Sequence, residues 1–191
     1  MEQDNLFQFF SSEFPFNKDG LELFIQSFEC KKFEKNTVLL KSEGSEKALR
    51  FLDEGIIREF YAHEGKEKNI GFYLEPGFIT DFYSFLSNKP TKKNQACITD
   101  VKIRVLSKQK FLDFSSEYPC GKLFIDEIFR RIIEKKEKEE FKQFVNTAED
   151  DYLELLHEKP LWLQNIPQYH IASYLGISPE TLSRIRKRIQ D

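Results

Sequence analysis

The chain has 191 residues, 40% of them hydrophobic, with 29 Lys and Arg against 32 Asp and Glu for a net charge of −3. That length holds one large domain, or a medium domain with a small companion, around a core whose bulk comes largely from 20 phenylalanines. A slightly acidic total excludes a general nucleic-acid coat. No apolar run approaches the ~18 residues of a membrane span, and no signal peptide is visible, so a cytoplasmic protein without a membrane partner is expected.

In chain order, Leu6–Phe10 and Gly20–Phe28 are expected to be short helices packed beside a β-rich region. From about Phe28 to Leu112 the chain breaks into short β-prone runs: Thr37–Leu40, Leu49–Leu52, Ile56–Tyr61, Asn69–Leu74, Ala96–Ile98 and Val101–Leu106. Turn signals separate them at Glu43-Gly44, Asp53-Glu-Gly55, Glu64-Gly-Lys66 and Pro76-Gly77. Many short strands at regular spacing predict an antiparallel sandwich, barrel or roll.

The periodicity changes at Pro119. Leu123, Ile125, Ile128, Phe129, Ile132 and Ile133 fall at helical spacing, followed by the charged run Glu134–Glu140 and then Phe141, Phe144 and Val145. An apolar stripe carried for about six turns is longer than a small β-domain usually covers, so a dimer seam through Ile125, Ile128, Phe129, Ile132 and Ile133 is preferred over a helix lying only on its own sheet. The charged run reads as a solvated face. Thr147 is placed to cap a further helix carrying Tyr152, Leu153, Leu155 and Leu156, and Pro160–Leu163 and Ile166-Pro167 lead into the last segment. The expected domains are 1–117, a connecting helix over 118–146, and a small C-terminal domain over 147–191.

The last segment, Ile171 to Ile189, has the layout of a helix-turn-helix. Gly176 can stop the first helix with a positive φ, and Ala172 is small enough for two helices to cross closely. Ser178 can cap the second helix and Pro179 suits its first turn, while Leu182, Ile185 and Ile189 form its buried stripe. Glu180, Thr181, Ser183, Arg184, Lys187 and Arg188 lie opposite. Positive charge is concentrated here: from Gly176 onward Arg184, Arg186, Lys187 and Arg188 stand against Glu180 and Asp191. An ion pair at the Glu180/Arg184 spacing, or a basic last turn, is common on any helix. Combined with the turn glycine, small residue, cap and stripe, it points to double-stranded DNA.

A β-roll, a long helix and a terminal helix-turn-helix, in that order, resemble the Crp/Fnr family of bacterial transcription regulators. The resemblance is carried by Phe33–Gly44, Phe51–Arg58, Tyr152–Leu156, Ile166-Pro167 and Ile171–Lys187, and the C-terminal part is particularly similar to a subgroup common in Bacteroidetes. It implies an α+β fold with an N-terminal antiparallel, jelly-roll-like β-roll of the cyclic-nucleotide-binding type, a dimerisation helix, and a helix-turn-helix DNA-binding domain, expected here to be all-α and, unlike that of many members, to lack a full wing. The implied base readers are Glu180, which can accept from cytosine N4, and Arg184, which can bond guanine O6 and N7. Thr181, Ser183, Lys187 and Arg188 would hold phosphates. A homodimer reading a near-palindromic site through the 178–190 helix is expected, with RNA polymerase as a further partner. Pro179 stands where better-studied relatives often carry another arginine, and Pro160–Ile166 is too short and apolar for a flanking hairpin.

The family's nucleotide-binding members pair a Gly-Glu with a downstream Arg-Ser/Thr-Ala around a cyclic phosphate. Here the matching stretches are Gly77–Ser84 and Lys92–Ala96, so the implied pocket is Gly77, Thr80, Asp81, Asn94 and Gln95, with Asn94-Gln95 in place of the arginine pair. Lys92 or Lys93 could compensate for the missing arginine, though both also read as ordinary loop lysines, the preferred reading. A buried phosphate without a cation loses much charge-assisted bonding, so cAMP is expected to bind poorly and the ligand is left open. Cys30, Cys97 and Cys120 are scattered and odd in number, and His63, His157 and His170 lack metal-binding spacing. No haem, iron–sulfur cluster or metal is therefore expected, and no enzyme, because no nucleophile–base set or phosphate loop is visible. The rival reading is a ligand-binding or protein-docking module with no sequence preference on DNA.

Overall fold

The computed structural model describes residues 4–13, 20–118 and 120–190. Helices α1 (Asn5–Glu13) and α2 (Leu21–Gln26) precede strands β1 (Glu29–Phe33), β2 (Val38–Leu40), β3 (Ala48–Glu54), β4 (Ile57–His63), β5 (Lys66–Tyr73) and β6 (Gly77–Phe78). After α3 (Phe82–Ser87) come β7 (Asn94–Cys97) and β8 (Val101–Ser107). The rest is helical: α4 (Lys108–Glu117), α5 (Cys120–Val145), α6 (Ala148–Glu158), α7 (Pro160–Asn165), α8 (Gln168–Leu175) and α9 (Pro179–Gln190).

The strands form two antiparallel four-stranded sheets, ordered β1-β8-β3-β6 and β2-β7-β4-β5. The β4–β5 hairpin turns through Glu64 and Gly65, both at positive φ (49° and 76°), with His63 opposite Lys66. Two successive positive φ values are what a type I′ turn, one of the two that suit right-twisted strands, requires. Between the sheets lie Leu52, Ile57, Ile79, Cys97, Val101 and Ile103. Burial pushes the Cys97 thiol up to about 11, which makes it an inert core residue, whereas Cys30 is exposed.

A second core explains the phenylalanine content. Phe10, Phe24, Phe51, Phe85, Phe111 and Phe124 are all buried where α1 to α5 cover the outer side of the β3 sheet. Their rings meet mainly edge-on or tilted, as for Phe78 and Phe124 at 5.0 Å, and Phe24 stacks on Phe114 at 4.7 Å. Strand β3 is therefore buried on both faces, with Leu49, Phe51 and Leu52 fully buried and Arg50 and Asp53 buried beside them.

The third core belongs to α6–α9 and consists of Tyr152, Leu155, Ile166, Ile171, Ala172, Leu182 and Ile185, with Phe72 of β5 packed among them. Thr147 caps α6 in a reciprocal capping box with Asp150. The structure departs from the sequence expectation in several short elements. β1, β6 and α3 were not foreseen, 108–117 forms a helix of its own before α5, and Pro160–Asn165 is helical. Among the described residues no strand follows β8.

Candidate DNA-reading surface and sensor pocket

Helix α8 ends at Gly176, whose φ of 71° lets Ile177 N–H reach back to the Ala172 carbonyl at 3.0 Å. Ser178 Oγ accepts from Thr181 N at 3.2 Å and so caps α9. Ala172 is fully buried beneath the crossing, and Leu182 and Ile185 hold α9 against the domain core. Rotation about that stripe leaves Glu180, Ser183, Arg184, Lys187 and Arg188 exposed, with Thr181 half-buried. The Ser178 hydroxyl, with a smaller contribution from Arg184, holds the Glu180 carboxyl below its ordinary range. Arg184 Nη2 lies 3.3 Å from Thr181 Oγ1, and Arg188 is ion-paired with Glu149 of α6. Glu180 and Arg184 thus share one accessible face, while Arg188 is already engaged.

Of the residues named for the ligand pocket, Thr80, Asp81 and Gln95 join one polar cluster in the β-roll, whereas Asn94 and Gly77 are not tied to it. Thr80 Oγ1 accepts from Arg50 N at 2.8 Å, Asp81 Oδ2 from Thr91 Oγ1 at 2.5 Å, and Asn94 Oδ1 from Ser42 N at 3.0 Å. Gln95 Nε2 donates to Glu59 Oε1 at 2.9 Å and to the Ile79 carbonyl at 2.7 Å. All four are buried, whereas Gly77 is half-buried in β6. The sequence reading missed Glu46, Arg50 and Glu59, which are buried in the same cluster, with Arg50 paired to Glu46. Lys93 requires a correction: it is no loop lysine, because its Nζ lies 3.4 Å from Glu59 and 3.9 Å from Asp81. Burial works against the Lys93 ammonium, but Glu59 and Asp81 outweigh it and raise its pKa. Three carboxylates (Glu46, Glu59, Asp81) therefore surround two cations. Lys93 and two of the three Arg50 nitrogens are engaged by these carboxylates, while Arg50 Nη1 is buried without a partner.

On α5 the apolar positions divide. Ile128 is buried and Ile125 partly buried against the phenylalanine core, while Phe129, Ile132 and Ile133 are exposed. Phe141, Phe144 and Val145 are exposed further along. The intervening charges form pairs within the helix, Lys135–Glu139 and Lys136–Glu140 among them.

The small helical domain rests on the β-roll through α8 and β5. Asn69, 2% exposed, donates from its backbone N to Ser173 Oγ at 3.1 Å and from Nδ2 to the His170 carbonyl at 3.1 Å. The same Nδ2 lies 3.2 Å from His170 Nδ1, and Ser173 Oγ donates to the Glu67 carbonyl at 3.2 Å. Next to this polar patch Phe72 meets Trp162 edge-on at 4.9 Å. Lone polar residues such as Asn69 carry no sequence signal for such a contact.

Neither a protein-family model nor a curated protein matches the chain. Solved structures do. FixK2 from Bradyrhizobium japonicum aligns with a TM-score of 0.73 at 14% identity, over 85% of this chain and 84% of that one. A CooA variant from Carboxydothermus hydrogenoformans gives 0.69 at 15% identity, over 98% and 85%. The Thermus thermophilus catabolite activator protein gives 0.60 at 17%, over 98% and 87%. At such identities the likeness concerns architecture, and it extends from the β-roll through the long helix to α9: the chain has the fold of the Crp/Fnr regulators.

Proposed function

We propose that this protein is a homodimeric, sequence-specific DNA-binding transcription regulator whose two α9 helices enter the major groove at the halves of a near-palindromic site. The observation that carries the reading is the single exposed face of α9, where Glu180 and Arg184 stand one turn apart beside Ser183 and Lys187. Arg184 supplies a bidentate donor pair for guanine and Glu180 an acceptor for cytosine. Thr181, Ser183, Lys187 and Arg188 serve the phosphates, Arg188 once it leaves Glu149. The exposed strip of Phe129, Ile132 and Ile133 on α5 is the dimer seam, which sets the half-sites about one helical turn, ~34–36 Å, apart. The domains are 1–117 for sensing, 118–146 for dimerisation and 147–191 for DNA. No role as an enzyme is assigned.

Selection of duplexes from a random library at near-physiological salt tests this, with Arg184→Ala alongside. The expected result is a two-fold symmetric site for the wild type, relaxed at one base pair per half-site in the variant, with a loss of about 1–3 kcal/mol per contact. Binding without any motif, equally in both proteins, would instead favour the protein-docking reading.

A further inference from the structure

A cleft of about 530 Å3 opens where the β-roll, α5 and the helical domain meet. Its aromatic side is formed by Phe72, Trp162 and Tyr174, with Trp162 and Tyr174 edge-on at 5.3 Å. Glu59 and Tyr73 reach it from the β-roll, and burial, then the Glu59 carboxylate, push the Tyr73 phenol well above its ordinary value, so it stays a neutral donor. Around the opening stand Glu75, Glu139 and Glu158 with Lys135 and Lys159. With Glu59 already engaged by Lys93, the charged rim is Glu75, Glu139 and Glu158 against Lys135 and Lys159.

One of those ammonium groups shows what the aromatic wall accepts. Lys159 Nζ lies 4.0 Å from the centroid of the Trp162 ring, the geometry in which an indole face attracts a cation. Burial, then the nearby Lys135, lowers the Lys159 pKa, so this internal occupant is a weak one.

We propose that this cleft is the effector site and that its ligand is an organic cation, a protonated or quaternary amine on an apolar body, displacing Lys159 from the indole face. The regulatory part of this inference rests on the function proposed above. A ligand there touches the sensor roll, the long helix and the DNA-binding domain together, and so discriminates between arrangements of those parts.

Trp162 is the single tryptophan, so its emission reads the site directly. Benzyltrimethylammonium should quench it saturably, while phenylacetate and cAMP should bind at least about tenfold more weakly. Glu139→Gln combined with Glu158→Gln, both on the exposed rim, should weaken the cation about fivefold with an unchanged melting temperature. Lys159→Met should tighten it. Phenylacetate or cAMP binding as tightly as the cation would overturn the proposal, as would an unchanged affinity in the rim variant or no saturable response up to about 10 mM. The duplex selection is run on the same preparations. A protein that selects its site but ignores the cation loses this ligand and keeps its function, whereas cation binding without site selection supports the cleft and removes the regulator reading.

Discussion

Asn69 shows how much can depend on one buried amide. Its Nδ2 faces both the carbonyl and the ring nitrogen of His170, and its backbone N–H serves Ser173, so one residue of β5 addresses two consecutive turns of α8. Asn69→Ala leaves the backbone bond but removes the side-chain donor to the His170 carbonyl and ring in a half-buried contact. A cost of about 1–3 kcal/mol to docking is expected. Hydrogen exchange should then accelerate in α8 and the emission of Trp162 should shift to the red, while the amides of β3 and β8 keep their protection. Unchanged exchange in α8 would mean that Phe72 and Trp162 hold the contact without Asn69. At the neighbouring cluster, the charge of Glu59 was visible in the chain but its burial was not. It lies in an ordinary β-prone run, and only the fold brings Lys93 and Gln95 across to it.

At the scale of elements, α5 carries two apolar faces, one set on the phenylalanine core and one proposed as the seam with a second copy. Ile125 and Ile128 point to the first; Phe129, Ile132 and Ile133 are left for the second. Phe129→Glu places a charge in the middle of the exposed strip and should weaken self-association at least about tenfold, giving monomer mass by light scattering with unaltered helical content. A dimer of wild-type affinity would move the seam to Phe141, Phe144 and Val145. Periodicity located α5 but could not separate these faces, because a helical stripe does not say which neighbour covers it. The terminal motif was more legible: Gly176, Ser178, Pro179 and the Leu182/Ile185 spacing each impose a local geometry, and each sits where that geometry is needed. The strands with turn signals at Gly55 and Glu64-Gly65 were legible for the same reason. By contrast β6, of two residues, and α3 and α7, of six each, are too short to show a period, and they form because the roll and the helical domain cover them.

For the whole molecule, the β-roll and the terminal helices share a core through Phe72 beside a small polar patch at Asn69, His170 and Ser173, and the docking of one on the other is an equilibrium in the sense that any local opening is. His170 makes that equilibrium sensitive to pH. Burial, then the charge of Arg58 on β4, depresses its pKa to about 4 against the opposing pull of Glu67 on β5. Protonation at Nδ1 would also remove the acceptor that faces Asn69 Nδ2. An undocked helical domain returns the imidazole to water and a pKa of about 6.5. Between those two values the undocked form holds more protons, so docking is fully favoured above about pH 6.5, weakens as the pH falls, and stops weakening below about pH 4. A titration of the His170 Hε1 resonance should therefore inflect near 4 in the wild type and move toward 6.5 in Asn69→Ala. An inflection near 6.5 in both proteins would show that α8 is not seated on β5 in solution. A ligand in the adjoining cleft that favours the docked form should hold the wild-type inflection down to higher temperature, and one that favours the open form should raise it.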